Sequence, residues 1–166
     1  MAVVKSVKFD GEQIHVFNSA IYVFESGQDL SLQLDLIVSE VVIKKVHHLE
    51  NIIVEIELQD DRIIQSIMHV KIIPGSLPQL SLFAEIDDIQ EYDYLEVVNE
   101  NDAWFPNIEE GITLKDIRRV EMPEEEIRLK LKLPIDQVEW LKAQKKTHLN
   151  EMLKEMIYEY WKRHNK

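Results

Sequence analysis

Arg128, Lys130 and Lys132 alternate with Ile127, Leu129, Leu131 and Leu133. In extended backbone successive side chains point to opposite faces, so this spacing gathers the cations on one edge and the aliphatic groups on the other. The chemistry such an edge offers is recognition of a polyanion, through charge and directed N–H donors rather than bond making. Further along, Lys145 and Lys146 stand beside Thr147 and His148, which the pattern places at the start of a helix. Unpaired backbone N–H groups at a helix start attract an anion, so these four residues form a second candidate contact.

Other chemistries find little footing. The chain has no cysteine, which removes thiolate catalysis, disulfides and cysteine-bound zinc. No phosphate-cradling loop, nucleophile elbow or dinucleotide fingerprint is present, and four glycines leave little room for one. With 31 aspartates and glutamates, any carboxylate pair can be imagined at catalytic separation, so none carries information. His47-His48 with Glu50 supplies metal-ligand types, but on a strand the two imidazoles point to opposite faces and do not share an ion. His15 and His69 are isolated. The expectation is a protein without cofactor or metal, and not an enzyme. The stretch from Asp87 to Glu96 interleaves Tyr92 and Tyr94 with carboxylates. With Trp104 beyond it, this is a candidate surface for a basic protein partner. The plainer reading packs Tyr92 and Tyr94 side by side on one strand face.

Charge separates the chain in two. Residues 1–126 carry 9 basic and 26 acidic side chains, net −17, whereas residues 127–166 carry 10 and 5, net +5, giving −12 overall. An acidic body repels phosphate backbones, so nucleic-acid contact is expected only in the tail. A hydrophobic content of 45% with 30% charged residues belongs to a folded protein, and 166 residues suffice for one domain with an appendage. Met1-Ala2-Val3-Val4-Lys5 opens no secretory h-region, and no apolar run is long enough to span a bilayer. A cytoplasmic protein with no membrane partner is expected.

The elements that must position these residues are legible as two periods. Leu30-Ser31-Leu32-Gln33-Leu34-Asp35-Leu36 alternates strictly, and the pattern returns in Ile52, Val54, Ile56 and Leu58, in Ile64, Met68, Val70 and Ile72, and in Leu80, Leu82, Ala84 and Ile86. One-sided alternation belongs to antiparallel sheet with one wet face. Asp10-Gly11, Ser26-Gly27-Gln28-Asp29, Gln59-Asp60-Asp61-Arg62 and Pro74-Gly75-Ser76 are turns, spaced too closely for helices between them. Seven to nine strands over residues 1–120 predict a mainly β (α+β) fold, an antiparallel β-sandwich or open barrel. Ile112–Ile117 is a helical turn capped by Thr113 or a closing strand. Residues 121–126 form an acidic linker. After the strand at 127–133, Pro134 breaks the ladder, and Asp136 caps a short helix ending near Gln144. Lys145-Lys146 turns the chain, and Thr147 caps a second helix with Asn150 and Glu151 behind it. Leu149, Met152, Leu153, Met156, Ile157, Tyr160 and Trp161 then recur at helical spacing. So regular a face must bury against the body or against a second copy, and a homodimer is expected.

Strand, short helix, turn and long helix over residues 127–166 resemble the ribbon-helix-helix fold of Arc- and Met-repressor-type DNA-binding proteins and of BrnA-type antitoxins. Leu129-Lys130-Leu131-Lys132-Leu133-Pro134 matches the ribbon, Val138–Gln144 the first helix and Leu149–Lys154 the second. The family's Gly-x-Ser/Thr turn is replaced here by Lys145-Lys146-Thr147. The resemblance implies two ribbons paired antiparallel across a dimer axis. Arg128, Lys130 and Lys132 would enter the major groove of duplex DNA, and the second helix's start would hold a phosphate. A non-catalytic dimeric regulator, such as a repressor or an autoregulating antitoxin, follows. The alternative is an acidic β-rich interaction or inhibitor module whose helices only dimerise or cap the fold. A separate, plainer reading makes the three cations simply the solvated face of the body's last strand.

Overall fold

The computed structural model describes residues 2–102 and 105–165. The alternating runs become strands: β1 Val4–Phe9, β2 Glu12–Ile14, β3 Asn18–Ser26, β4 Asp29–Ile37, β5 Asn51–Leu58, β6 Ile63–Ile73, β7 Gln79–Glu85 and β8 Val97–Asn99. They form one sheet in the order β2-β1-β5-β6-β7-β4-β3-β8. Every neighbouring pair is antiparallel except β3 with β8. Tight turns make this cheap: Asp10 and Gly11, with φ of 48° and 84°, link β1 to β2 in the left-handed backbone that two-residue hairpins need.

Register decides which face is dry. Val70, Leu82, Leu34 and Ile21 face one another in turn across β6, β7, β4 and β3. Val7 and Phe9 of β1 join the same buried cluster as Ile21 and Val23 of β3, and the two strands touch. They stand far apart in the strand order, so the sheet must curl around its own core. Among the described residues there is no second sheet. The open, curled sheet replaces the sandwich alternative.

One α-helix occurs where none was expected. Helix α1, Glu40–Val46, connects β4 to β5, with the Ser39 hydroxyl accepting from the Val42 amide at 3.2 Å. Val42 and Val46 enter the main core. His47 and His48 therefore end a helix rather than lie on a strand, with ring centroids 5.4 Å apart. Helix α2, Leu114–Val120, settles the reading of residues 112–117: Thr113 and Asp116 form a reciprocal capping box. Its Ile117 is buried with Ala20, Tyr22, Ile37, Leu77, Val98 and Ile108 in a smaller cluster on the other side of β3 and β4. Arg118 donates to both Glu40 carboxylate oxygens, at 2.8 and 2.7 Å, and the Ser39 hydroxyl donates to Glu121. These bonds tie the end of α2 to the start of α1.

The chain divides into two compact units, Met1–Glu124 and Glu125–Lys166. The second contains α3, Ile135–Ala143, and α4, Lys146–His164. Among the described residues no helix is long and apolar enough to cross a membrane.

Candidate nucleic-acid interface

Residues 127–133 belong to no sheet of this chain. The expected strand is therefore absent from the isolated chain, where the segment has no ladder partner among the described residues. The same fact removes the alternative in which Arg128, Lys130 and Lys132 are the wet face of the body's last strand, since among the described residues no strand of the sheet lies beyond Asn99. Ile127, Leu129 and Leu131 are 73%, 69% and 72% exposed. Arg128 donates to Glu126 at 3.3 Å, a contact in open solvent that holds it weakly. Lys130 and Lys132 have no ion-pair partner among the described residues.

Proline sets where the helices begin. Pro134 precedes the first residue of α3, so the cap lies two residues before the expected Asp136; the Asp136 carboxylate instead accepts from the Gln137 amide at 2.9 Å. Helix α4 likewise starts early. Lys145 is its cap residue, without a side-chain hydrogen bond, so Thr147 is a second-position residue and not the cap. The first helical hydrogen bond of α4 runs from Leu149 N–H to the Lys145 carbonyl at 2.9 Å. The amides of Lys146, Thr147 and His148 precede that bond and have no acceptor within the helix. Lys145 and Lys146 add charge at the same point. The shift of the cap leaves these three amides at the start of the helix.

The apolar stripe of α4 is continuous. Leu153, Met156, Ile157, Tyr160 and Trp161 line a trough of about 480 Å³ that is open to solvent. Leu149 and Met152 are half-buried, and neither α3 nor α4 contains a buried residue. Tyr160 stacks on His164 with centroids 4.2 Å apart. Lys162, Arg163 and His164 crowd the last turn, where the helix dipole favours cations.

The tyrosine segment is a turn and not a strand. Tyr92 ends a 3-10 turn, Ile89–Tyr92, capped by Asp88, and Tyr94 follows in a turn, so the two share no strand. Both pack against the main core, and the Arg62 guanidinium covers the Tyr94 ring at 4.2 Å. Burial raises both hydroxyls above their usual range. Trp104 lies outside the described residues. Among these, no group of three or more His, Asp or Glu side chains could hold a metal ion.

One surface escaped the sequence reading. Ile53, Ile63 and Ile67 are exposed on the sheet's outer side. Paired isoleucines at 52–53 and 63–64 were the available signal, since in each pair one residue must face out. In comparisons with protein-family models, with curated proteins and with solved structures, nothing matches this chain.

Proposed function

We propose that this chain is a non-catalytic, dimeric regulator that binds duplex DNA through residues 127–148. The observation that carries the reading is a tail with no interior. It is a unit of about forty residues with an apolar edge at 127–133 and an apolar stripe on α4, both open to solvent. Chains of that size without disulfide or metal usually fold only by associating. A second copy supplies what is missing on both counts: an antiparallel partner for the extended segment, and a matching stripe for α4. Pairing two such segments sets two rows of Arg128, Lys130 and Lys132 on one face of a two-stranded ribbon, a shape the major groove admits. The amides of Thr147 and His148 then serve a phosphate.

The test is fluorescence anisotropy with the full chain and random-sequence duplex at low salt. Binding should weaken steeply as salt rises, because neutralising phosphates releases counterions. Replacing Arg128, Lys130 and Lys132 together by alanine should weaken binding at least about tenfold and flatten its salt dependence, since each lost cation takes about one released counterion with it. Unchanged affinity in the triple variant would remove the ribbon from the mechanism.

A further inference from the structure

The outer face of the sheet holds a second recognition feature, on the acidic body. Ile53 of β5 and Ile67 of β6 are direct cross-strand partners, 47% and 67% exposed, and Ile63, on the same side of β6, is 65% exposed. On that face His69 lies against Phe83 of β7, with ring centroids 5.0 Å apart. Single exposed isoleucines are ordinary, but neighbours on adjoining strands make a contiguous patch. Neither helix of the body covers it: the buried residues of α1 join the inner core, and that of α2 joins the cluster beside β3 and β4.

Charge around the patch is uneven. Toward β1, Glu55 and Glu57 are each neutralised by a lysine, Lys8 and Lys5, at 2.6 Å. Toward β4, a groove of about 630 Å³ opens beside Phe24 and Phe83, edged by Asp29, Glu85 and Asp87. Among the described residues these three carboxylates have no hydrogen-bond or ion-pair partner, and Lys71 is the one cation lining the groove. The face thus has a neutral apolar end and an acidic aromatic end.

We propose that this face docks a basic, amphipathic segment of another protein. Its apolar side chains seat on Ile53, Ile67 and Phe83, and its lysines or arginines meet Asp29, Glu85 and Asp87. Charge selects this occupant. A body of net −17 over residues 1–126 draws cationic chains and repels both phosphate backbones and a twin of itself. The aromatic rings add cation–π contacts for the same side chains. The inference stands apart from the ribbon and holds even if the tail binds no DNA.

The experiment pans a random twelve-residue peptide library on the full wild-type chain and on the Ile67→Thr variant, which keeps strand propensity. Wild type should enrich peptides carrying lysine or arginine beside leucine, isoleucine or phenylalanine, at least tenfold over Ile67→Thr. A synthetic peptide of the enriched sequence should lose at least tenfold in affinity for the double variant Glu85→Lys, Asp87→Lys. It should keep its affinity for Glu91→Lys, Asp93→Lys, an equal charge reversal in the tyrosine segment; both double variants should retain the wild-type circular dichroism. Absence of enrichment over Ile67→Thr, enrichment of acidic or uncharged peptides, or equal losses in the two charge reversals would each overturn the proposal.

Discussion

Two contacts show how single residues hold the body. Tyr22 is buried in the smaller cluster and donates to the Asp35 carboxylate at 2.8 Å. Burial, and then the Asp35 charge, push its hydroxyl well above the ordinary tyrosine range. The unfolded chain therefore loses this proton first, near pH 10, and stability should fall as pH climbs beyond that value. Tyr22→Phe should cost about 1–2 kcal/mol at neutral pH by denaturant titration and flatten that alkaline decline. The opposite sign applies to Glu40, whose carboxyl the Arg118 guanidinium holds below the usual range. Its contribution is complete above the unfolded carboxylate value of about 4.3 and disappears as pH falls through the folded one. Arg118→Ala should therefore lower the melting temperature at pH 7 and match wild type in strong acid. The loss should be modest, because both groups reach solvent. A difference that persisted undiminished in acid would assign Arg118 a packing role instead.

At the scale of elements, what the sequence disclosed depended on whether neighbours or periodicity decided the structure. Leu32, Leu34 and Leu36 alternate without interruption, and all three are fully buried. Leu34→Ala should accordingly cost about 2–5 kcal/mol, read as a lowered denaturant midpoint with an unchanged slope. β6 was only half legible: Ile64 and Met68 gave the inner phase, while Ile63 and Ile67 on the outer phase blurred it. A residue's hydrophobicity says that it prefers burial, not that a neighbour is present to bury it. Helix α1 was hidden by Val41-Val42-Ile43, β-branched residues that favour strands, and tertiary packing of Val42 and Val46 overrode them. Its true markers were the Ser39 cap and the lysines of the last turn. In the tail, the α4 helix was readable from its stripe, whereas the period-two segment forms no strand in the single chain. The cap positions were not readable, because Pro134 and Lys145 mark these helix starts without a side-chain hydrogen bond.

For the whole molecule, the division in charge coincides with a division in how each part is completed. The unit Met1–Glu124 closes around a core drawn from six strands and α1. The unit Glu125–Lys166 leaves Leu153, Met156, Ile157, Tyr160 and Trp161 in water. Burial of one such side chain is worth about 1.5–3 kcal/mol, so a stripe of five is costly to leave wet. If a twin covers the stripe, the two parts must differ in their response to dilution. A segment folded only as a dimer has an apparent stability tied to protein concentration, changing by about 1.4 kcal/mol for each tenfold step. A self-contained body does not. Helicity at 222 nm reports mostly on α3 and α4, the longest helices of the chain, and backbone amide resonances of β4 and β7 report on the body. On tenfold dilution the helical transition should move to lower temperature while the sheet transition stays in place. Ile157→Asp should remove the helical transition at every concentration and leave the sheet intact. A helical melt indifferent to dilution would mean that the stripe is covered within a single chain, and the twin, with the ribbon it completes, would have to be given up.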